Sequence, residues 1–232
     1  MKKNIFVALD FNSLEKALDV AKNVKDHVAG FKIGTELYTI CGAKGLELFK
    51  DLGTEIFLDL KLHDIPNQVK KTVAAIANLR TVKYLTIHTS GDYEMLNAAQ
   101  EVSGETDLLG VTVLTSQSDL EGIGIKNSVQ NQIKLLVNLA IRSNIAGVIA
   151  SAQDIPLIRT LSKKLKIFCP GIRGKEDKQD QKRVMSYADF SRIADEKCFA
   201  VIGRPIIQGD SCLLYTSPSP RDLSTSRMPS SA

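Results

Sequence analysis

The sequence predicts an α/β fold in which eight parallel strands alternate with helices and close into a single-domain (β/α)8 TIM barrel. Eight short apolar or β-branched runs recur along the chain, and stretches with helical apolar spacing separate them. Polar side chains follow the runs at their carboxyl ends. An open, doubly wound sheet is the alternative, but eight strand–helix units favour a closed barrel.

The predicted strands are short and regularly placed. In chain order they cover residues 5–10, 30–34, 55–61, 84–89, 108–114, 147–151, 166–170 and 199–203. The first run has only five apolar residues before Asp10, so we interpret it as a strand and not as a signal peptide.

Helices are predicted between the strands, where apolar residues recur every three to four positions. The first helix has such residues at Leu14, Ala17, Leu18, Ala21 and Val24, and a later one at Ile133, Leu136, Val137, Ala140 and Ile141. Ser13 occupies the N-cap position of the first helix. Pro66 suits the first turn of a helix over 67–79, and Asp154 opens another helix before Pro156.

Charge and cysteine usage exclude several classes of function. The net charge is +4, but basic and acidic residues are interspersed, so nucleic-acid binding is not predicted. No apolar run is long enough to cross a bilayer, so no membrane association is expected. Four cysteines are scattered without metal-ligand spacing, which indicates a cytoplasmic location and no metal site.

The third predicted strand and the turn after it are the most informative segment, with the sequence Asp59-Leu60-Lys61-Leu62-His63-Asp64-Ile65-Pro66-Asn67-Gln68. Period-two geometry sends Ile56, Leu58 and Leu60 to one face of the strand and Phe57, Asp59 and Lys61 to the other. A carboxylate and an ammonium group therefore point the same way, with Asp64 just past the strand. Such a pair, taken alone, is more often structural than catalytic.

Polar residues recur at the other predicted strand ends, namely at Asp10, Lys32, His88, Thr115, Ser151, Arg173 and Arg204. In a barrel these ends share one rim, where active sites are built. The loops after the seventh and eighth strands combine glycines with Arg173 and Arg204, which suits a phosphate. We therefore expect a phosphorylated substrate, and we interpret the polar segment 174–183 as a lid, with a solvated linker as the alternative.

Seven segments in order resemble the orotidine 5′-phosphate decarboxylase family in its compact bacterial form. The most specific is 59–67, and the others are 7–10, 31–34, 113–116, 170–173, 180–184 and 201–206, so that the resemblance extends from residue 5 to about 209. It implies decarboxylation of orotidine 5′-monophosphate to uridine 5′-monophosphate, the last step of pyrimidine synthesis. It also implies that the enzyme uses no cofactor and no metal.

The resemblance also implies residue roles. Lys61 would protonate pyrimidine C6 after carbon dioxide leaves, within a charge array of Lys32, Asp59, Lys61 and Asp64. Asp64 would reach into the partner's site of a homodimer. The substrate-binding residues would be Asp10, Lys32, Asp59, Leu60, Lys61, Leu62, His63, Asp64, Ile65, Pro66, Asn67, Gln68, Thr115, Arg173, Gln181, Gly203 and Arg204. Of these, Asp10 and Lys32 would contact the ribose, Thr115 the ribose or a neighbouring partner-facing loop, and Arg173, Gln181, Gly203 and Arg204 the phosphate.

The charge array suits this reaction. Loss of carbon dioxide leaves a carbanion that the ring delocalises poorly, and a fixed ammonium group stabilises that charge and then supplies the proton. Flanking carboxylates favour the protonated lysine. His63 is expected to be a packed or hydrogen-bonded spacer.

The chain departs from the family pattern in a few places. Asp92 replaces a usual second glycine, and we expect it to cap the next helix. Residues 211–232 are rich in Ser and Pro and do not suit the eighth helix of a barrel. We therefore expect the barrel to occupy residues 1–210 with a truncated eighth helix, followed by a non-native or disordered tail.

Two other functions stay open at this point. A magnesium-dependent phosphosugar decarboxylase or aldolase of the same barrel superfamily shares the pattern Asp-x-Lys-x-x-Asp. A barrel fragment that binds nucleotide without catalysis would result if the truncation disrupts the fold.

Overall fold

Eight parallel strands form a closed barrel in the computed structural model, which describes residues 4–173 and 183–207. Each strand pairs with its neighbours in chain order, and β8 returns to β1. The strands are β1 (Ile5–Ala8), β2 (Gly30–Gly34), β3 (Glu55–Leu62), β4 (Tyr84–His88), β5 (Asp107–Val111), β6 (Gly147–Ile149), β7 (Lys166–Cys169) and β8 (Cys198–Ile202). The predicted (β/α)8 barrel is confirmed, and the open sheet is excluded because β1 and β8 pair.

Helices follow the strands around the outside. They are α1 (Leu14–Val24), α2 (Thr35–Lys50), α3 (Pro66–Asn78), α4 (Asp92–Gln100), α5 (Val129–Arg142), α6 (Ile155–Leu161), α7 (Tyr187–Ile193) and α8 (Arg204–Ile207). Short 3-10 turns lie at Lys25–His27, Thr89–Gly91, Glu121–Ile123 and Ala152–Asp154. No helix within the described ranges is long and apolar enough to span a membrane.

The helix starts agree with the sequence prediction at three places. Ser13 accepts a hydrogen bond from the Lys16 amide at the start of α1, and Pro66 is the first residue of α3. Asp92 accepts from the Met95 amide at 2.9 Å and so caps α4, as expected. Its φ of +71° is in the region that favours glycine, which explains why a glycine suits this position. Asp154 differs, because its carboxylate does not cap α6 and binds a guanidinium group instead.

Successive residues along each strand face two different apolar regions, which are the barrel interior and the core between the strands and the helices. Phe6, Phe57, Tyr84, Leu109, Phe168 and Phe199 fill the barrel interior, with neighbouring ring centroids 4.7 to 6.0 Å apart. Ile56 and Leu58 belong to the larger core between the strands and the helices. The predicted alternation in the third strand is thus confirmed. The aromatic rings of the interior form a packed layer beneath the carboxyl ends of the strands.

Several strands end earlier than predicted. β5 stops at Val111, three residues before the predicted end, and β6 stops at Ile149. At the rim, the Thr112 amide makes the last ladder bond to the Ile149 carbonyl, and the Thr112 hydroxyl donates to the same oxygen. The described part of α8 has four residues. The remainder of the predicted eighth helix and the tail at 211–232 lie outside the described residues.

Candidate active site

A cavity of about 650 Å³ opens at the carboxyl ends of the strands, above the aromatic interior. Eight of the predicted site residues line it, namely Asp10, Lys32, Asp59, Lys61, Thr115, Arg173, Gly203 and Arg204. They come from the ends of strands β1, β2, β3, β7 and β8 and from the loop after β5. The topology therefore gathers on one rim residues that lie almost 200 positions apart in the chain.

Four of these side chains form a continuous line of alternating charge. Lys32 Nζ lies 2.8 Å from Asp10 Oδ1 and 3.9 Å from Asp59 Oδ2. Lys61 Nζ lies 2.8 Å from the same Asp59 oxygen. The side chains of Lys32 and Asp59 are largely buried, so water screens this part of the line only weakly. The two lysines are thus fixed on either side of one carboxylate, which keeps positive charge inside the cavity.

The backbone of β3 is irregular in the stretch that contains Asp59 and Lys61. Leu58 pairs with Leu85 of β4, but the next pair joins Leu62 to Ile87, so β3 has two more residues than β4 between these pairs. Lys61 lies within this irregular stretch and has a φ of +51°. Left-handed backbone is uncommon for a residue with a long side chain and is often found at functional sites.

Thr86 was not among the predicted site residues. Its fully buried hydroxyl accepts from the Lys61 amide at 2.8 Å and donates to Asp59 Oδ1 at 2.9 Å. A signal was present in the sequence, since Thr86 is two positions from Tyr84 and therefore faces the barrel interior. A polar residue at such an interior position needs a hydrogen-bond partner, and the neighbouring strand is where that partner lies.

Apart from Asp59 and Lys61, the residues of the predicted segment 59–68 do not line the cavity of a single chain. These residues are Leu60, Leu62, His63, Asp64, Ile65, Pro66, Asn67 and Gln68. Asp64 is exposed, and its carboxylate accepts from the Ile65 amide at 2.7 Å. The side chain of Ile65 is also exposed, at 64%. The end of β3 thus presents a carboxylate and an apolar side chain on the outside of the chain.

His63 and His88 pack against each other beside the charged line. Their ring centroids are 5.4 Å apart, in keeping with the expected spacer role of His63. Burial lowers the pKa of His88 below its ordinary value, and the nearby His63 and Lys61 lower it further. The neutral form of His88 is therefore favoured, which avoids a further positive charge next to Lys61.

The opposite wall of the cavity consists of the loops after β5, β7 and β8. The side chain of Arg173 is mostly buried, and its amide donates to the Met185 carbonyl at 3.0 Å. Gly203 lies against the first strand, because a Cβ there would be 3.4 Å from Asp10 Oδ2 and from Ala8 Cβ. Glycine therefore lets this loop approach Asp10 closely. Gln181 and almost all of the predicted lid lie outside the described residues.

Metal binding was not predicted. Within the two described ranges, no group of three or more His, Cys, Asp and Glu residues is arranged to hold a metal ion.

Comparison with known proteins identifies the family. The sequence model described as "Orotidine 5′-phosphate decarboxylase / HUMPS family" matches residues 3–211. The chain belongs to this family. The resemblance inferred from seven short segments is therefore confirmed, over nearly the same part of the chain.

Individual family members agree closely with the chain. An orotidine 5′-phosphate decarboxylase of Ehrlichia chaffeensis is 44% identical over 208 residues, which are 87% of this chain and 89% of the relative. One of Carboxydothermus hydrogenoformans is 39% identical over 219 residues, covering 89% and 90% of the two chains. Among solved structures, the family member from Lactobacillus acidophilus has a TM-score of 0.79 at 26% identity, covering 93% of this chain and 96% of that one.

Proposed function

We propose that this chain decarboxylates orotidine 5′-monophosphate to uridine 5′-monophosphate. The observation that carries the proposal is the line of Asp10, Lys32, Asp59 and Lys61 on the cavity rim of a chain that belongs to the decarboxylase family. The curated relatives named above, at 39% and 44% identity, support this reaction over others in the family.

The two walls of the cavity divide the work of binding. Arg173 and Arg204 supply guanidinium groups for the substrate phosphate, and Gly203 allows the close approach of backbone to its oxygens. We assign Asp10 and Lys32, which line the same cavity, to the ribose hydroxyls. Binding of the phosphate then holds the pyrimidine ring against Lys61 and supplies energy for orientation.

The reaction breaks the bond between C6 and the carboxylate carbon of the substrate. The bonding electrons stay on C6, and carbon dioxide leaves as a neutral molecule. The ammonium group of Lys61 stabilises the developing negative charge and then donates a proton to C6, which gives the product. The resulting neutral amine regains a proton from water. Asp59 Oδ2, 2.8 Å from Lys61 Nζ, holds the ammonium group in place before the reaction.

The first prediction concerns Lys61. Lys61→Ala removes both the fixed charge and the proton donor, so we expect kcat to fall by at least about 10³-fold. The absorbance change of the pyrimidine on decarboxylation measures the rate. The exposed Lys164 is the matched control, and Lys164→Ala should keep wild-type activity. An unchanged rate in the Lys61 variant would contradict the assignment.

We propose in addition a homodimer in which Asp64 completes the partner's site. Asp64 and Ile65 are exposed at the end of β3, outside the cavity of their own chain. A carboxylate there is free to extend the line of alternating charge in a second subunit. The exposed apolar side chain next to it suits a contact between subunits.

Mixing inactive variants tests the shared site. When Lys61→Ala and Asp64→Ala subunits exchange, half of the dimers are mixed, and each mixed dimer has one site with both functional residues. Activity should therefore return to about a quarter of the wild-type value, as the symmetry of a two-fold dimer requires. Mixtures that stay as inactive as the separate variants would count against a shared site.

The magnesium-dependent alternative fits the geometry less well. Asp59 Oδ2 receives Lys61 and lies near Lys32, while Asp59 Oδ1 receives the Thr86 hydroxyl, so both carboxylate oxygens are engaged by donors. A chelator should therefore leave the decarboxylation rate unchanged.

Calorimetry with uridine 5′-monophosphate separates a nucleotide-binding fragment from an enzyme, because the fragment would bind without turnover.

We also propose a cytoplasmic location, which the free thiols of Cys41, Cys169 and Cys198 support.

A further inference from the structure

Thr86 contacts two members of the charge array without facing the substrate cavity. It lies in β4, is fully buried, and makes one hydrogen bond to Asp59 and one with Lys61. The directions of these bonds are fixed, because the Lys61 amide can only donate and the hydroxyl has one proton. Thr86 therefore gives its proton to Asp59 Oδ1 and offers a lone pair to Lys61.

The bond to Lys61 stabilises an unusual backbone. At a φ of +51°, a residue with a Cβ is strained relative to ordinary conformations. The amide of Lys61 lies where β3 and β4 lose their regular register, and it donates to the Thr86 hydroxyl. This bond holds the backbone from which the Lys61 side chain leaves the strand.

The bond to Asp59 fixes the carboxylate plane. With Oδ1 held by Thr86 at 2.9 Å, Oδ2 is turned toward the two ammonium groups, 2.8 Å from Lys61 Nζ and 3.9 Å from Lys32 Nζ. Rotation of the carboxylate would change both of these distances together. One buried hydroxyl thus controls the orientation of the acid and the backbone of the proton donor.

We propose that Thr86 is a positioning residue for proton delivery by Lys61. Its hydroxyl holds the Asp59 carboxylate and the Lys61 backbone in the arrangement from which the ammonium group reaches C6 of the substrate. This inference rests on the proposed decarboxylase function. It assigns to β4 a part in the chemistry, although the charged groups belong to β1, β2 and β3.

Thr86→Val tests the proposal because valine keeps the shape of threonine and lacks the hydroxyl. We expect kcat to fall roughly 10²-fold, the loss typical of small misplacements of reacting groups. The Kd for uridine 5′-monophosphate should change less than about threefold, because the two cavity arginines are untouched. Thr86→Ser restores the hydroxyl and should recover most of the lost kcat.

Thr106→Val is the matched control. Thr106 is also buried, and its hydroxyl donates to the Val82 carbonyl at 2.9 Å next to the start of β5, at the other end of the barrel. This variant loses a hydrogen bond of similar burial and should lower the melting temperature but not kcat. Thermal unfolding of all variants identifies any effect that comes only from lost stability.

Either wild-type kcat in Thr86→Val or no recovery of kcat in Thr86→Ser would overturn the inference while the proposed function stands. Equal losses of kcat in Thr86→Val and Thr106→Val would also overturn it, because they would indicate a structural role. Wild-type protein that does not decarboxylate the nucleotide would overturn the proposed function itself. A large loss of kcat with retained product affinity and recovery by serine supports the positioning role.

Discussion

At the scale of one residue, His88 shows how burial and neighbouring charges favour the neutral form of a side chain in the site. Burial lowers the pKa of this imidazole, and the adjacent His63 and Lys61 act in the same direction, while Asp59 opposes them. A protonated ring there would add positive charge beside Lys61. The sequence placed His88 at a strand end and assigned it no role, because its burial depends on the packing of β3 against β4.

Stability should therefore depend on pH through His88. Below pH about 6.5 the unfolded chain binds a proton that the folded His88 resists, so the free energy of unfolding falls as the pH is lowered. Above that pH both states are neutral and this contribution is fully present. Urea unfolding at pH 5.5 and 7.5, on the order of one unit either side of that value, should show a smaller pH effect in His88→Gln than in wild type.

The exposed His27 provides the control for that measurement. His27→Gln should keep the wild-type pH dependence. If His88→Gln and wild type lose the same stability on acidification, the burial of His88 does not contribute to it.

At the scale of elements, Arg183 joins three loops of the cavity rim through its side chain and its backbone. Arg183 Nη1 binds Asp154 Oδ2 at 2.7 Å, and Nη2 donates to the Val113 carbonyl at 2.8 Å. The Arg183 carbonyl accepts from Ser151 at 3.4 Å, and its amide donates to the Thr115 carbonyl. The connections after β5, β6 and β7 are thereby tied together around largely buried charges.

Loss of Arg183 should therefore destabilise the fold. Burial raises the pKa of Asp154 and the guanidinium group opposes that shift, so Arg183→Met leaves a buried carboxylate without its partner. We expect the free energy of unfolding to fall by about 3 kcal/mol. Chemical denaturation of wild type and variant measures the loss.

A double variant supplies the control for this ion pair. Asp154→Asn removes the buried charge, so Arg183→Met together with Asp154→Asn should lose less stability than the sum of the two single variants. Strict additivity would mean that the pair does not act as a unit.

The same scale shows what the sequence could predict. Strand and helix order followed from apolar periodicity, and Ser13 and Pro66 marked helix starts correctly, because these signals are local. The predicted ends of β5 and β6 were wrong, because apolar runs do not show where pairing between two distant strands stops. Thr86 was missed for a related reason, since its partners depend on the irregular register between β3 and β4.

For the whole molecule, closure of the barrel brings the eight predicted cavity residues together, which individual motifs indicated only weakly. The predicted boundary near residue 210 remains a proposal. The family match ends at residue 211, which supports the proposed boundary. Ser and Pro are frequent in 211–232, and neither residue favours a covering helix.

Replacing residues 211–232 with an amphipathic helix should therefore stabilise the protein. A gain of only about 1 kcal/mol in the free energy of unfolding would raise the melting temperature by roughly 2–4 °C in a domain of this size. Deleting the same residues should leave the melting temperature unchanged. A replacement helix without effect, or a deletion that lowers the melting temperature, would contradict the proposed boundary.

The left-handed backbone at Lys61 places opposing demands on a single position. Folding alone would favour glycine there, since glycine adopts a φ of +51° without strain, whereas the proposed reaction requires an amine. Selecting variants for thermal stability alone would therefore favour the replacement of Lys61. A consensus sequence built from stable barrels would likewise be a poor basis for choosing residue 61. Engineering of this protein should hold residue 61 fixed and seek added stability elsewhere, because the proposed reaction needs the amine at a position where the backbone favours glycine.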